Sequence, residues 1–272
     1  MMTRIITGAE LIVLLVTALV LGGWVFSCLW IATLCIAMYE IYHALSKAGH
    51  RPVAWPVWVC LVVSIPTFLL MKETMSLYLM VTSFCIACVA VAAIVMFRSN
   101  PRLEDMLLSL MPLIYILIPG LSMLGLLRVT PEDKQRILMA AVFFIPAIGD
   151  AGAYFIGMKY GKTKLNPIVS PKKTVEGAIG GLLCSVLAAL ATYAIGGAFV
   201  VQSSMPPLWH FALLGLFGGA VGQIGDLFAS LIKRHCGIKD FGHIFPGHGG
   251  MLDRLDSILF VTVLVYLYQV VW

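Results

Sequence analysis

Three aspartates in the C-terminal part of the chain have a spacing that suits a divalent cation. Asp226 is followed by Ser230 and Lys233 at spacings of four and three residues, so their side chains share one face of a helix. Asp253 and Asp256 are three residues apart and share a face of the following helix. Mg²⁺ prefers oxygen ligands and is commonly held by one or two carboxylates together with substrate phosphates. We therefore predict that Asp226, Asp253 and Asp256 bind a divalent metal ion.

A plainer interpretation of Asp253 and Asp256 stays open. Acidic side chains near a helix N-terminus are stabilised by the helix dipole, so the pair could simply cap the last helix and form ion pairs with Arg254 and Lys233. Capping does not require a further carboxylate at the end of an apolar helix. Asp226 follows a glycine-rich apolar stretch, and this placement favours the metal site.

The segment between these two helices has the composition of a phosphate-binding turn. Residues 245–250 read Phe-Pro-Gly-His-Gly-Gly, and a glycine-rich turn before a helix can bring backbone N–H groups close to a phosphate. We predict an anion cradle at Gly249 and Gly250, with His248 as a hydrogen-bonding group beside the phosphate. The basic residues around this turn are Lys233, Arg234, Lys239 and Arg254.

Zinc is the alternative that the histidines of this segment raise. His235, Cys236, His243 and His248 are close in sequence, but their spacing matches no ordinary zinc pattern and only one of them is a cysteine. The chain has seven cysteines, an odd number, and six of them lie in apolar runs. We therefore predict neither a zinc site from these four residues nor a disulfide framework.

A second charged region carries further candidates. Residues 170–176 read Ser-Pro-Lys-Lys-Thr-Val-Glu, a pattern that predicts a helix start with capping residues. Lysines that only anchor the chain at a membrane face would explain Lys172 and Lys173 equally well. They would not explain Asp150, a carboxylate within the preceding apolar run, whose burial calls for a partner or a function. The predicted substrate contacts of this region are Asp150, Ser170, Lys172, Lys173, Thr174 and Glu176.

The composition places these residues in a membrane protein. Hydrophobic residues make up 61% of the chain, charged residues make up 11%, and the mean hydropathy is +0.99. A helix needs about 20 apolar residues to cross the hydrocarbon layer. We expect an all-α polytopic integral membrane protein with about nine transmembrane helices. The predicted spans are 5–21, 24–43, 55–71, 75–97, 106–127, 137–160, 174–200, 207–232 and 252–272.

Basic residues fall mainly on one side of this arrangement. With nine spans, 14 of the 18 Lys and Arg residues lie at the N-terminus or in the connections on its side. Cytoplasmic loops carry the excess of basic residues, so we predict a cytoplasmic N-terminus and a C-terminus outside. Residues 1–100 then hold four spans and residues 101–272 hold five. The motif loops 159–176 and 233–253 face the cytoplasm.

The C-terminal motif resembles a known family. Thirteen residues match, at every spacing, the signature of the phosphatidate cytidylyltransferases, also called CDP-diacylglycerol synthases. They are Ser230, Lys233, Arg234, Lys239, Asp240, Gly242, Pro246, His248, Gly249, Gly250, Asp253, Arg254 and Asp256. Residues 150–177 also resemble this family through their Ser-Pro-Lys-Lys-Thr-x-Glu-Gly segment, and the two regions cover roughly the C-terminal half of the chain.

The resemblance implies an enzyme that joins CTP and phosphatidic acid to give CDP-diacylglycerol and pyrophosphate. It implies Mg²⁺ or another divalent cation on Asp226, Asp253 and Asp256, and a monovalent cation such as K⁺ near them. We expect the bacterial inner membrane, with the active site facing the cytoplasm, and no nucleic acid as partner. A glycine-rich bundle is also compatible with a homodimer. The predicted catalytic residues are Asp226, Lys233, Asp253, Arg254 and Asp256. The predicted substrate-binding residues of the motif are Ser230, Arg234, Lys239, Asp240, His248, Gly249 and Gly250.

Two other functions stay open at the level of sequence. A CTP-dependent polyprenol or phytol kinase would also use a metal-bound phosphate site beneath a lipid. A transporter would place charged groups along its pathway, but transporter sites usually lie at the bilayer midplane, and these acids cluster at helix ends.

Overall fold

The structure is a computed structural model that describes residues 2–71, 73–197, 206–245, 247 and 249–272. Over these residues the chain forms nine helices and one two-stranded hairpin. The helices are α1 (Met2–Leu21), α2 (Gly23–Lys47), α3 (Trp55–Leu70), α4 (Glu73–Met96), α5 (Leu103–Leu126), α6 (Glu132–Tyr160), α7 (Val175–Gly197), α8 (Leu208–His235) and α9 (Leu252–Val271). The strands are β1 (Lys164–Asn166) and β2 (Ser170–Thr174).

The helices confirm the predicted all-α membrane class. Within the described ranges, seven of them are long and apolar enough to cross a membrane: α2, α4 from Met75, and α5 to α9. α3 is a shorter apolar helix. The predicted number of nine spans therefore stays a prediction. α5 contains one π-helical turn at Leu113–Leu117, directly after Pro112, which has no backbone N–H to donate to the regular ladder.

The segment after α6 differs from the sequence-based expectation. We predicted a helix start over residues 170–176, but Ser170 to Thr174 form β2, antiparallel to β1 with Lys164 opposite Thr174. The helix begins only at Val175. The capping part of the prediction is confirmed, because the Gly177 backbone N–H donates to Thr174 Oγ1 over 3.1 Å. A hairpin strand therefore occupies the position where we expected a helix start.

Glycines let α8 lie unusually close to its neighbours. A Cβ atom at Gly215 would clash with the α7 backbone at Val186, and one at Gly225 would clash with the α9 backbone at Asp256. This confirms the close helix packing expected from the small residues of α8. Because these glycines contact helices of the same chain, they do not supply the interface of the expected homodimer.

The connections that carry most of the basic residues meet at one end of the bundle. Arg98 Nη1 donates to the Arg51 carbonyl oxygen over 2.6 Å, which joins the connection after α2 to the one after α4. Arg234 Nε donates to the Val169 carbonyl oxygen over 3.3 Å, which joins the end of α8 to the hairpin. Arg128 lies at the opposite end, where its Nη2 donates to the Met71 carbonyl oxygen. The fold thus sorts these connections as the charge distribution predicts.

Candidate functional site

A cavity of about 440 Å³ opens at the basic end of the bundle. It lies where α6, β2, the start of α7, α8 and the start of α9 come together. Its polar lining consists of Asp150, Lys172, Lys173, Thr174, Gln223, Asp226, Asp253, Arg254 and Asp256. Its remaining wall is largely apolar or glycine: Ala153, Tyr154, Gly157, Met158, Leu165, Gly177 and Ala178. The two charged regions singled out in the sequence, about 75 residues apart along the chain, therefore share one site.

The carboxylates of the cavity come from three different helices. Asp226 on α8 forms an ion pair with Lys173 of the hairpin. Asp150 on α6 accepts a hydrogen bond from the Ser257 hydroxyl over 3.2 Å. Asp256 on α9 accepts the Ser257 backbone N–H over 2.8 Å. Ser257 therefore links Asp150 of α6 to Asp256 of α9, a role that no local pattern in the sequence indicates.

Asp253, in the first turn of α9, binds the loop that joins α8 to α9. Its Oδ1 lies 2.8 Å from Lys233 Nζ. Its Oδ2 accepts the backbone N–H groups of Phe241, over 2.8 Å, and Gly250, over 3.0 Å. The side chains of this ion pair are 4% exposed for Asp253 and 13% for Lys233. Asp253 thus lines the cavity, and it also fastens the loop to both helices.

The predicted anion cradle is partly occupied by the protein itself. Gly249 has a φ of +86°, which a glycine adopts without strain. This conformation places the N–H of Gly250 on Asp253 rather than toward the cavity. The turn therefore cradles a carboxylate of the chain at this N–H. His248 and Pro246, which also belong to the predicted signature, lie outside the described residues.

A buried glutamate from the N-terminal half holds the start of α9, a role that the sequence did not reveal. Glu40 on α2 is only 3% exposed. Its two oxygens accept the N–H groups of Met251 and Leu252 at the start of α9, over 3.0 and 2.8 Å. A Cβ atom at Gly250 would lie 2.6 Å from Glu40 Oε2, so only glycine fits there. The one feature of the sequence that could have indicated a role for Glu40 is that it is a lone charged residue inside an apolar span.

We expect replacement of Glu40 by Ala to destabilise the fold by about 1–3 kcal/mol, because two buried N–H donors would lose their acceptor. Glu40→Gln retains one acceptor oxygen and should lose less. Thermal unfolding of the purified protein in detergent measures both effects. Glu10→Gln is the control, since Glu10 is exposed. Equal stabilities for the Glu40→Ala and Glu10→Gln variants would contradict the capping role.

Several predicted site residues lie outside the cavity lining. Glu176 accepts the backbone N–H groups of Lys162 and Thr163, both over 3.1 Å, and so holds the hairpin onto α7. Arg234 binds the hairpin carbonyl of Val169. The others that do not line the cavity are Ser170, Ser230, Lys233, Lys239, Asp240, Gly249 and Gly250. Their predicted contacts with substrate stay predictions.

Two cations of the lining face the cavity without a carboxylate partner. Lys173 is paired with Asp226, but Lys172 and Arg254 form no ion pair with any other described residue. Both side chains are exposed. They are therefore free to bind an anionic ligand in the cavity.

The donor set fits a hard divalent cation. Asp150, Asp226 and Asp256 supply carboxylate oxygens, which Mg²⁺ prefers, and the cavity leaves room for the waters that this ion retains. The distances between these carboxylate oxygens decide how many of them can bind one ion directly. Among the described residues, no three of these carboxylates bring their oxygens within 4.8 Å of one another. Asp226 and Asp256 would therefore hold such an ion together with water or ligand oxygens, while Asp253 is engaged by Lys233 and the loop.

Comparison with known proteins finds one matching family and several similar sequences. The sequence profile of the cytidylyltransferase family matches residues 2–272. A phosphatidate cytidylyltransferase from Staphylococcus saprophyticus subsp. saprophyticus is 39% identical over 161 residues. Proteins of the same name from Staphylococcus aureus (strain COL) and Staphylococcus epidermidis are 41% and 40% identical over the same length. Each alignment covers 59% of this chain and 58% of the relative, so the chain matches a little over half the length of these relatives.

Proposed function

This chain belongs to the cytidylyltransferase family, and on that premise we propose that it transfers CMP from CTP to phosphatidic acid. The products are CDP-diacylglycerol and pyrophosphate. The observation that carries the proposal is that one cavity holds both acidic and basic groups. Its lining includes the carboxylates of Asp150, Asp226 and Asp256 and the cations of Lys172 and Arg254. Joining two polyanions requires positive charge on the protein and on a metal ion, and this cavity supplies groups for both.

The reaction needs no nucleophile from the protein. An ionised oxygen of the phosphatidate phosphate attacks the α-phosphorus of CTP and forms the new P–O bond. The bond from the α-phosphorus to the oxygen that bridges it to the β-phosphorus breaks, and pyrophosphate leaves with that electron pair. The protein has to align the two phosphates and stabilise the charge that moves to the leaving group.

Six of the polar residues that line the cavity have a role in this scheme. Lys172 and Arg254 bind phosphate oxygens of the two substrates. Lys173 orients the Asp226 carboxylate. Asp226 and Asp256 would hold the divalent cation, which supplies charge neutralisation when bound. Ser257 positions Asp150 and Asp256 relative to each other.

The apolar wall favours a lipid as one of the two substrates. Tyr154 and Met158 of α6 are 64% and 68% exposed, and both line the cavity. α6 is one of the helices able to cross a membrane. A lipid phosphate could therefore reach the charged groups while its acyl chains stay beside α6. We place this end of the bundle on the cytoplasmic side, where CTP is found and where basic connections accumulate.

The fate of a radioactive phosphate in CTP distinguishes this reaction from its alternatives, because each reaction transfers a different phosphate to the lipid. The purified chain is incubated with phosphatidic acid, Mg²⁺ and CTP labelled at either the α- or the γ-phosphate. We expect the α-label in the lipid and the γ-label in pyrophosphate. A lipid kinase would instead transfer the γ-label to a polyprenol or phytol offered in a parallel reaction. Transfer of the γ-label, or no CTP consumption with any lipid, would overturn the proposal.

Lys172→Ala should raise the KM for CTP by about 10-fold with a smaller change in kcat, because one unpaired cation is lost from phosphate binding. Steady-state kinetics at saturating phosphatidic acid measure the change. Lys164→Ala is the matched control, since Lys164 lies in the same hairpin but does not line the cavity. If the two variants have the same KM, Lys172 serves only as a membrane-facing charge.

A further inference from the structure

A second cluster of potential metal ligands lies outside the cavity. His50 follows α2, Glu104 is in the first turn of α5, and His235 is the last residue of α8. His50 Nε2 and His235 Nε2 are 2.9 Å apart. Glu104 Oε1 is 3.5 Å from His235 Nε2 and 3.9 Å from His50 Nε2. In the described part of the chain, no other His, Cys, Asp or Glu group of three or more brings its ligand atoms this close together.

The three distances match the edges of a tetrahedral site. Zinc lies about 2.0–2.2 Å from imidazole nitrogen and carboxylate oxygen, and a tetrahedron with bonds of this length has edges of about 3.3–3.6 Å. The observed separations of 2.9, 3.5 and 3.9 Å fall around that value. The two rings are nearly parallel, with an interplanar angle of 15°. An ion shared by both Nε2 atoms would replace their hydrogen bond and move these two atoms apart from 2.9 Å to the tetrahedral edge length.

We propose that His50, Glu104 and His235 bind a zinc-class transition metal ion. Two imidazoles and one carboxylate with an open fourth position are a ligand set that zinc adopts in proteins. Mg²⁺ is disfavoured here, because it requires oxygen ligands in octahedral geometry. The site is chemically distinct from the all-carboxylate cavity, so it is a second metal site and not part of the proposed reaction.

A carboxylate lies on the far side of the His50 ring, beyond direct hydrogen-bond distance. A ring that binds metal through Nε2 carries its remaining proton on Nδ1, and a nearby carboxylate commonly fixes that tautomer. Asp105 Oδ1 lies 3.8 Å from His50 Nδ1. Asp105 is itself held in place, since its side chain is 4% exposed and its Oδ1 accepts the Arg51 backbone N–H over 3.0 Å. Solvent reaches the other side, where Glu104 is 53% exposed.

The metal would tie the two halves of the chain together at the basic end. Its ligands come from the connection after α2, from α5 and from α8, so one ion would link three segments that are far apart in sequence. His50 and His235 are 185 residues apart. This separation explains why the local spacing around His235 gave no sign of zinc. Cys236 and His243, the neighbours weighed in the sequence, take no part in the cluster.

Cobalt binding tests the proposal independently of any enzymatic activity. The full chain in detergent is stripped of metal with a chelator and transferred to buffer with excess Mg²⁺, which occupies the carboxylate cavity. Co²⁺ is then added and its visible absorption is recorded, because tetrahedral Co²⁺ absorbs strongly and hydrated Co²⁺ does not. We expect saturation at one Co²⁺ per chain and loss of the band when Zn²⁺ is added.

Variants show whether the ion is at this cluster. The band should be lost in His235→Gln and in Glu104→Gln, two exposed positions where replacement leaves the core untouched. It should persist in His43→Gln, whose ring stacks on Tyr39 outside the cluster. It should also persist in Asp226→Asn, which alters only the cavity. Absence of the band from the unmodified chain, or its persistence in His235→Gln, would overturn the proposal and leave a metal-free hydrogen-bonded histidine pair.

Discussion

Asp226→Asn should lower the turnover of CTP by on the order of 10³-fold, because a ligand of the divalent cation loses its charge and metal ions contribute several kcal/mol to charge stabilisation in such reactions. Asparagine keeps the shape of the side chain and one acceptor oxygen. The α-label assay, run at saturating Mg²⁺, measures the effect. Substantial activity under those conditions would remove Asp226 from the metal site.

The fold should survive this change almost intact. Asp226 and its partner Lys173 are 24% and 27% exposed, so the ion pair that is lost contributes about 0–1 kcal/mol. Asp133→Asn is the matched control, since Asp133 is an exposed aspartate in the first turn of α6 and lies outside the catalytic cavity. The Asp133 variant should keep full activity. A large drop in the unfolding temperature of Asp226→Asn would mean that the loss of turnover reports unfolding rather than chemistry.

The sequence was informative where one local signal sufficed. The positions of charged residues at the ends of apolar helices predicted that Asp226, Asp253 and Asp256 lie together, and all three line the cavity. Helix periodicity and hydropathy depend on neighbours within a few turns, so they can be read from a single stretch of chain. The same is true of the glycines of α8, whose small size directly implies close helix contact.

The features that were missed depend on contacts between distant segments. Glu40 caps α9 from more than 200 residues away, and nothing near Glu40 in the sequence indicates that partner. The β1–β2 hairpin was mistaken for a helix start because Ser170 and Thr174 are typical capping residues. Only the pairing of β1 with β2 reveals that they belong to a strand. Tertiary contacts thus decided these elements over local preference.

The role of Asp253 changes most when the structure is added to the sequence. From the spacing alone, Asp253 and Asp226 have the same predicted role, because each is a carboxylate at the end of a helix. In the fold, Asp226 is partly exposed and has one partner, whereas Asp253 is buried with three. The same substitution should therefore have different consequences at the two positions.

Asp253→Asn should abolish turnover, because Asp253 is a predicted metal ligand and lines the cavity. It should also destabilise the protein by about 3–5 kcal/mol, because it leaves Lys233 as a largely buried charge without a counterion. Asparagine has only one acceptor oxygen. Its amide group would therefore point N–H donors either at the Lys233 ammonium or at the backbone N–H groups of Phe241 and Gly250. The loop between α8 and α9 should loosen. Activity and thermal unfolding, measured on the same preparation, report the two effects.

A second substitution separates the structural effect from the catalytic one. In Lys233→Met/Asp253→Asn the unpaired charge is gone, so the double variant should be more stable than Asp253→Asn by about 1–3 kcal/mol, the range found for coupled neighbours. It should stay inactive. Lys239→Met/Asp253→Asn is the matched control, because Lys239 is an exposed lysine of the same loop without an ion pair among the described residues, and it should restore nothing. Equal stabilities of the two double variants would show that Lys233 and Asp253 are not coupled. Recovery of activity along with stability in the Lys233 variant would show that Asp253 acts only by holding the loop.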